Sequence, residues 1–176
     1  MLEHVLKSFA DAKARYERQA TRNPSMICRA GAHMDCAVVK LQKTAWTNDD
    51  LTKMGNQTGI FFSIWVGEAG AIKGRADYNI HALSVRKLKS YRLTGHELSD
   101  RFREAFRKAR GTWPHVSTDF GCCTLMQGWY DINQRSVASD AMRLMAQFDQ
   151  QVAPIIDRLL DQSRRAPKRG RRGVGH

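Results

Sequence analysis

Apolar side chains recur at helical spacing from the start of the chain: Leu2, Val5, Leu6, Phe9, Ala12 and Tyr16 fall on one stripe with charged residues between them. A period near 3.6 predicts an amphipathic helix, ending ahead of Asn23-Pro24 because proline disfavours helical geometry in the residue before it. Within AHMDCAVVKLQ the pattern turns strand-like, and a strand is expected around 37–41. NDDLTKMGN then reads as a short helix, with Asn48 as cap, acids in its first turn and Gly55 at its stop.

The middle of the chain carries the clearest strands. GIFFSIWV, residues 59–66, is dense in aromatic and β-branched residues and apolar on both faces, as a central strand requires. GEAGAIKG reads as a flexible hairpin loop, since it lacks the G-x-x-x-x-G-K-[ST] spacing of a phosphate loop and leads into a strand. In RADYNIHALSV, residues 75–85, Ala76, Tyr78, Ile80 and Ala82 alternate with Arg75, Asp77, Asn79 and His81, so one face seeks a core and the other is a polar ladder.

In TGHE, Thr94 and Glu97 have the spacing of a capping box, opening a helix whose stripe is Leu98, Phe102, Ala105, Phe106 and Ala109 and which Gly111 stops. HVSTDFG and CTLMQGWYDI read as a hairpin about residues 119–122. Ser136 is the expected cap of the last helix, with core face Val137, Ala141, Leu144, Met145, Phe148 and Val152; Pro154 should kink or restart it. The order α-β-α-β-β-α-β-β-α predicts an α+β fold, an antiparallel or mixed sheet of about four or five strands covered by helices. It is expected as a single domain over 1–162, followed by a disordered basic tail over 163–176.

Charge changes that picture most at the C-terminus. The chain of 176 residues has 29 Lys and Arg against 17 Asp and Glu, a formal charge of +12. Arg164, Arg165, Lys168, Arg169, Arg171 and Arg172 supply six of the 29, leaving 23 cations against 17 acids, or +6, in residues 1–163. Such a segment buries too little apolar area to fold, and a mobile cationic arm attracts polyanions by releasing their condensed counterions. On the second long helix Arg103, Arg107 and Arg110 form a basic stripe that suits phosphates. Pairs Glu97–Arg101, Asp100–Arg103 and Glu104–Lys108 would make the same helix an ordinary solvated face.

The remaining chemistry is sparse. Asp77, His81 and His115 are the candidate catalytic residues, His81 as a general acid or base near neutral pH. Asp77 and His81 are about 13 Å apart along an extended strand, from roughly 3.3 Å per residue, so an active arrangement needs cross-strand partners. Cys28, His33, Cys36, Cys122 and Cys123 match no standard zinc spacing, and no metal or other cofactor is expected. Tyr91 and Trp113 read as packing residues in preference to base-stacking ones. The longest strongly apolar run, 60–66, is too short for a membrane span, four cysteines are too few for a disulfide scaffold, and no targeting segment opens the chain, so a cytoplasmic protein is expected. The functional expectation is a non-catalytic nucleic-acid-associated protein with nonspecific phosphate contacts through the tail. A small enzyme centred on His81 and a protein–protein adaptor are the alternatives.

Overall fold

The computed structural model describes residues 2–166. The N-terminal stripe forms helix α1, Leu2–Glu17, which buries Val5, Phe9, Ala12 and Tyr16. Five strands follow: β1 (Met26–His33), β2 (Cys36–Lys43), β3 (Gly59–Val66), β4 (Arg75–Leu83) and β5 (Thr124–Asp131), in the spatial order β1-β2-β3-β4-β5 with every pairing antiparallel. Helices α2 (Glu68–Lys73), α3 (Gly95–Phe106), α4 (Val137–Gln147) and α5 (Ala153–Asp161) complete the α+β fold.

Strand β1 went unpredicted because MICRAGAH has too few apolar residues to stand out. It forms through the turn at Met34 and Asp35, both left-handed with φ of 49° and 58°, which matches the strand twist and lets β1 pair along its whole length with β2. GEAGAIKG is a helix, α2, rather than a loop. Glu68 sits in its first turn, and Gly74 at φ 66° returns its amide to Ala71 O, as a left-handed helix stop does. The helix expected at Asn48 is absent: Asp49 uses its carboxylate to accept from Gln57 N at 2.7 Å and Thr58 N at 2.9 Å, which folds 47–58 into a compact loop.

The capping box is present, with Thr94 Oγ1 accepting from Glu97 N and Glu97 accepting from Thr94 N. α3 stops at Phe106, ahead of Gly111, and a 3-10 turn spans Arg110–Thr112. HVSTDFG forms no strand; Ser117 alone bridges to Gln127, so the expected hairpin is reduced to β5. The Ser136 side chain makes no cap bond to α4, and Asn133 Oδ1 accepts from the amides of Arg135 and Ser136 instead. Pro154 has the expected effect: its missing amide leaves a wider π-turn over Phe148–Val152 before α5 restarts.

The long helices share one side of the sheet, α1 against β1 and β2, and α3 against β5 and α5. Val39, Leu41, Ile60, Phe62, Ile64, Tyr78, Ile80 and Met126 face them and are buried. At the centre the rings of Phe62 and Phe148 stack at 4.5 Å, with Trp46 edge-on to Phe148 at 6.1 Å. Every long helix is thus spent on one face, and the other face of the sheet is left to loops.

Candidate binding face of the sheet

Side chains in cross-strand register share a face, so the pairings lay the uncovered side out in rows. The central row runs Arg29, Lys40, Ser63, Asn79, Gln127, one residue from each strand. On one side of it lie Gly31, Val38, Trp65, Asp77 and Trp129, and on the other Phe61, His81 and Thr124. A polar row is thus flanked by aromatic ones. The polar ladder of β4 is where the alternation placed it, between β3 and β5.

Loop 47–58 crosses above β1 and β2 and is held by that row. Lys40 Nζ donates to Met54 O at 2.6 Å and Asn56 Oδ1 at 3.0 Å, and lies 4.3 Å from the Phe61 ring centroid. Arg29 donates to Lys53 O and, at 2.7 Å, to Gln42 Oε1. Lys40 is only 4% exposed and Arg29 8%, yet among the described residues neither forms an ion pair. Burial, reinforced by Arg29 alongside, pulls the Lys40 ammonium down to about 8. Ser63 Oγ donates to Asn79 Oδ1 at 2.6 Å, which turns the Asn79 amide nitrogen away as a donor with no partner among the described residues. Together Lys40, Phe61, Ser63, Trp65, Asn79 and His81 line a groove of about 430 Å³, with Asn56 on its wall.

The Lys40 shift has a measurable consequence. Between about pH 8 and 10.5 the unfolded chain still binds a proton here that the folded chain has released, so this group's contribution to stability rises with pH across that window. Against a Lys40→Met variant, the wild type should gain up to about 3 kcal/mol between those limits, from 1.36 kcal/mol per pKa unit. Urea unfolding of both proteins over the window measures it, and a constant difference would show the ammonium to be solvated. The comparison cancels the opposite trend from Cys28, which burial pushes up to about 12, and from the buried Tyr16 and Tyr78, whose hydroxyls burial also pushes up.

The three catalytic candidates do not assemble. His81 Nδ1 lies 3.2 Å from Cys123 O and 3.1 Å from Thr124 Oγ1; since a carbonyl only accepts, Nδ1 carries the proton and Nε2 is the basic nitrogen. Burial first, and Lys40 in addition, lower its pKa, against the opposing bond to Cys123, so the ring is neutral near pH 7. Asp77 is committed to Arg75 at 2.6 Å, with the Arg75 guanidinium 4.6 Å from the Trp129 ring centroid. His115, exposed and left-handed at φ 45°, stacks on Trp129 at 3.6 Å. No carboxylate orients His81 among the described residues.

The basic stripe of α3 is largely spent. Arg103 donates to Thr118 O at 2.9 Å and to Phe120 O, pinning the segment before β5, and also pairs with Asp100. Arg107 pairs with Glu104 at 2.8 Å, in place of the expected Glu104–Lys108 pair, and Arg110 is exposed. Glu97 serves its capping box, while Arg101 reaches Ser163 Oγ and Gln162 Oε1. At the C-terminus Arg164 pairs with Asp161 at 2.6 Å, Arg165 Nε donates to Tyr91 O at 2.9 Å, and Ser90–Tyr91 bonds the backbone of this stretch. Two of the six cations assigned to the tail are therefore held by the body; Lys168, Arg169, Arg171 and Arg172 lie outside the described residues. Tyr91 and Trp113, 4% exposed each, are packing residues. Cys122 and Cys123 lie together, while Cys28 is buried 3.8 Å from Met145 Sδ on the helix side, and among the described residues no three His, Cys, Asp or Glu gather as a metal would require.

Lys40, Ser63 and Trp65 are not among the candidate site residues of the sequence, although a lysine within AVVKL and a serine within GIFFSIWV were the available signals. Fold and site together define an α+β domain with an antiparallel meander, helices on one side and a walled, cation-floored groove on the other. The chain matches no protein-family model, no curated protein and no solved structure. No helix among the described residues is long and apolar enough to cross a membrane.

Proposed function

We propose that the protein is a non-catalytic nucleic-acid-associated module that receives a single strand on the uncovered face of the sheet, with the basic residues beyond Ala166 adding nonspecific attraction. The observation that carries this reading is the central row: Arg29 and Lys40 are buried side by side with no salt bridge among the described residues, beside the half-buried ring of Trp65 and the exposed ring of His115 held flat on Trp129. Cations that track a backbone together with π-faces that stack unpaired bases are the components of sequence-tolerant single-strand binding. A duplex keeps its bases stacked internally, and α3, the helix expected to meet its phosphates, has committed Arg103 and Arg107. The net charge of +12 favours any polyanion at long range.

A catalytic role for His81 draws on its neutral ring in the groove, but Asp77 is paired with Arg75 and binding is the better supported use of the face. Fluorescence anisotropy over a salt series tests the proposal. Single-stranded oligonucleotide should bind more tightly than duplex, with a log–log salt slope of about −0.7 per phosphate neutralised. A protein ending at Ala166 should bind with a shallower slope. Equal affinity for duplex, or complete loss on that truncation, would remove the sheet face from the proposal.

A further inference from the structure

The turn that enters β5 brings two thiols together at the surface. We propose that, whatever the sheet face binds, Cys122 and Cys123 are a modification site, a vicinal dithiol that a hydroperoxide closes into a reversible disulfide. Thr124 N donates to Gly121 O at 3.2 Å, which makes the two cysteines the central residues of a four-residue turn. Their side chains are in contact, with Cys122 half-buried and Cys123 exposed. Cys122 Sγ rests on the start of α3, where a Cβ added to Gly95 would stand 3.4 Å from it. On the other side, Cys123 O accepts from Ala82 N at 2.9 Å and lies 3.2 Å from His81 Nδ1. The Cys123 backbone and the Cys122 sulfur are thereby placed, while Gly121 has open space where a side chain would stand, which lets the turn adjust as a ring closes.

The other thiols have no such neighbour. Cys36 pairs with His33, five residues along β1 from Cys28, which separates those two by roughly 17 Å at about 3.3 Å per residue. Both stand three or four strands from β5, roughly 14 Å or more at about 4.8 Å per strand. In the closing reaction one sulfur attacks the peroxide O–O bond as its thiolate and becomes a sulfenic acid, and the other oxygen takes up a proton and leaves as an alcohol, or as water from hydrogen peroxide. The second thiol then attacks the sulfenic sulfur, forms the S–S bond and expels water. Two thiols and one hydroperoxide thus give one disulfide, one alcohol and one water, with two electrons passing from sulfur to oxygen. Cys123 is the resolving thiol: partial desolvation, then the adjoining Cys122 sulfur, push it up from its ordinary value, so it keeps its proton. Adjacent α-carbons are about 3.8 Å apart across a trans peptide, short of the roughly 4.4 Å at which ordinary disulfides begin, so the ring is strained and readily reduced.

Trypsin separates the thiols, because Cys28, Cys36 and the Cys122–Cys123 pair fall in different peptides, the pair in residues 111–135. Full-length folded protein is treated with limiting hydrogen peroxide, alkylated, digested and mapped by mass spectrometry, with and without prior reduction by dithiothreitol. Peptide 111–135 should lose the mass of two hydrogens, refuse the alkylating agent and recover both thiols on reduction. Cys122→Ser should abolish the two-hydrogen loss, whereas Cys36→Ser should leave it unchanged. The wild-type map decides by itself should Cys122→Ser fold poorly. Sulfinic acid at either residue, a link from 111–135 to another peptide, or full alkylation of the pair after peroxide treatment would overturn the site.

Discussion

Replacing Asp157 with alanine should lower the unfolding free energy by about 3 kcal/mol, the low end of what breaking a buried ion pair costs. Lys43 ends β2 on the helix-facing side, and its side chain is 6% exposed against the Asp157 carboxylate of α5. The other carboxylate oxygen accepts from Trp46 Nε1 at 2.8 Å, and Trp46 is fully buried beside Phe148. Removing Asp157 therefore strands a buried ammonium and a buried indole donor together. The Asp157 side chain is 38% exposed, so water reaches part of the vacated space and tempers the loss. Urea unfolding measures the shift. Adding Lys43→Met to the variant should recover part of it, since the orphaned charge goes; a loss below about 1 kcal/mol in the single variant would mean that solvent already satisfies the pair.

Trp65→Ala should weaken single-strand binding roughly tenfold or more, from about 1–3 kcal/mol per stacked base. The ring is half-buried on the rim of the groove, in register with Val38 on one side and Asp77 on the other, and Phe61 and Ser63 keep the strand's packing without it. His115→Ala should cost less, because Trp129 remains beneath it. Arg107→Ala should change affinity by less than about twofold, since its guanidinium is already paired with Glu104 on a solvated helix face. Anisotropy titrations of the three variants, with circular dichroism to confirm folding, make the comparison. Loss at Arg107 with no loss at Trp65 would return the interface to α3.

The legible part of the fold was wherever local pattern and final environment agreed. The stripe from Val5 to Tyr16, the capping box of Thr94 and Glu97, the alternation of β4 and the restart at Pro154 each depend on neighbours within a few residues. Failures came where a distant partner decided the outcome. Asp49 has the position of a first-turn helix acid but spends its carboxylate on Gln57 and Thr58. Arg103 looks like part of a phosphate-facing stripe until the backbone of Thr118 and Phe120 arrives beneath it. Arg164 and Arg165 look like tail, but Asp161 and the Ser90–Tyr91 backbone hold them.

The chain's own pattern determined its class, an α+β domain built on an antiparallel sheet, and which residues of β4 turn away from the core, because periodicity and alternation are properties of consecutive residues. Only the tertiary structure decided that Arg29, Lys40, Ser63, Asn79 and Gln127 form one row across five strands and that loop 47–58 closes over one end of it. Strand register and loop placement are set by pairings between residues far apart in the chain, and no stretch of consecutive residues reveals that they bury Arg29 and Lys40 together.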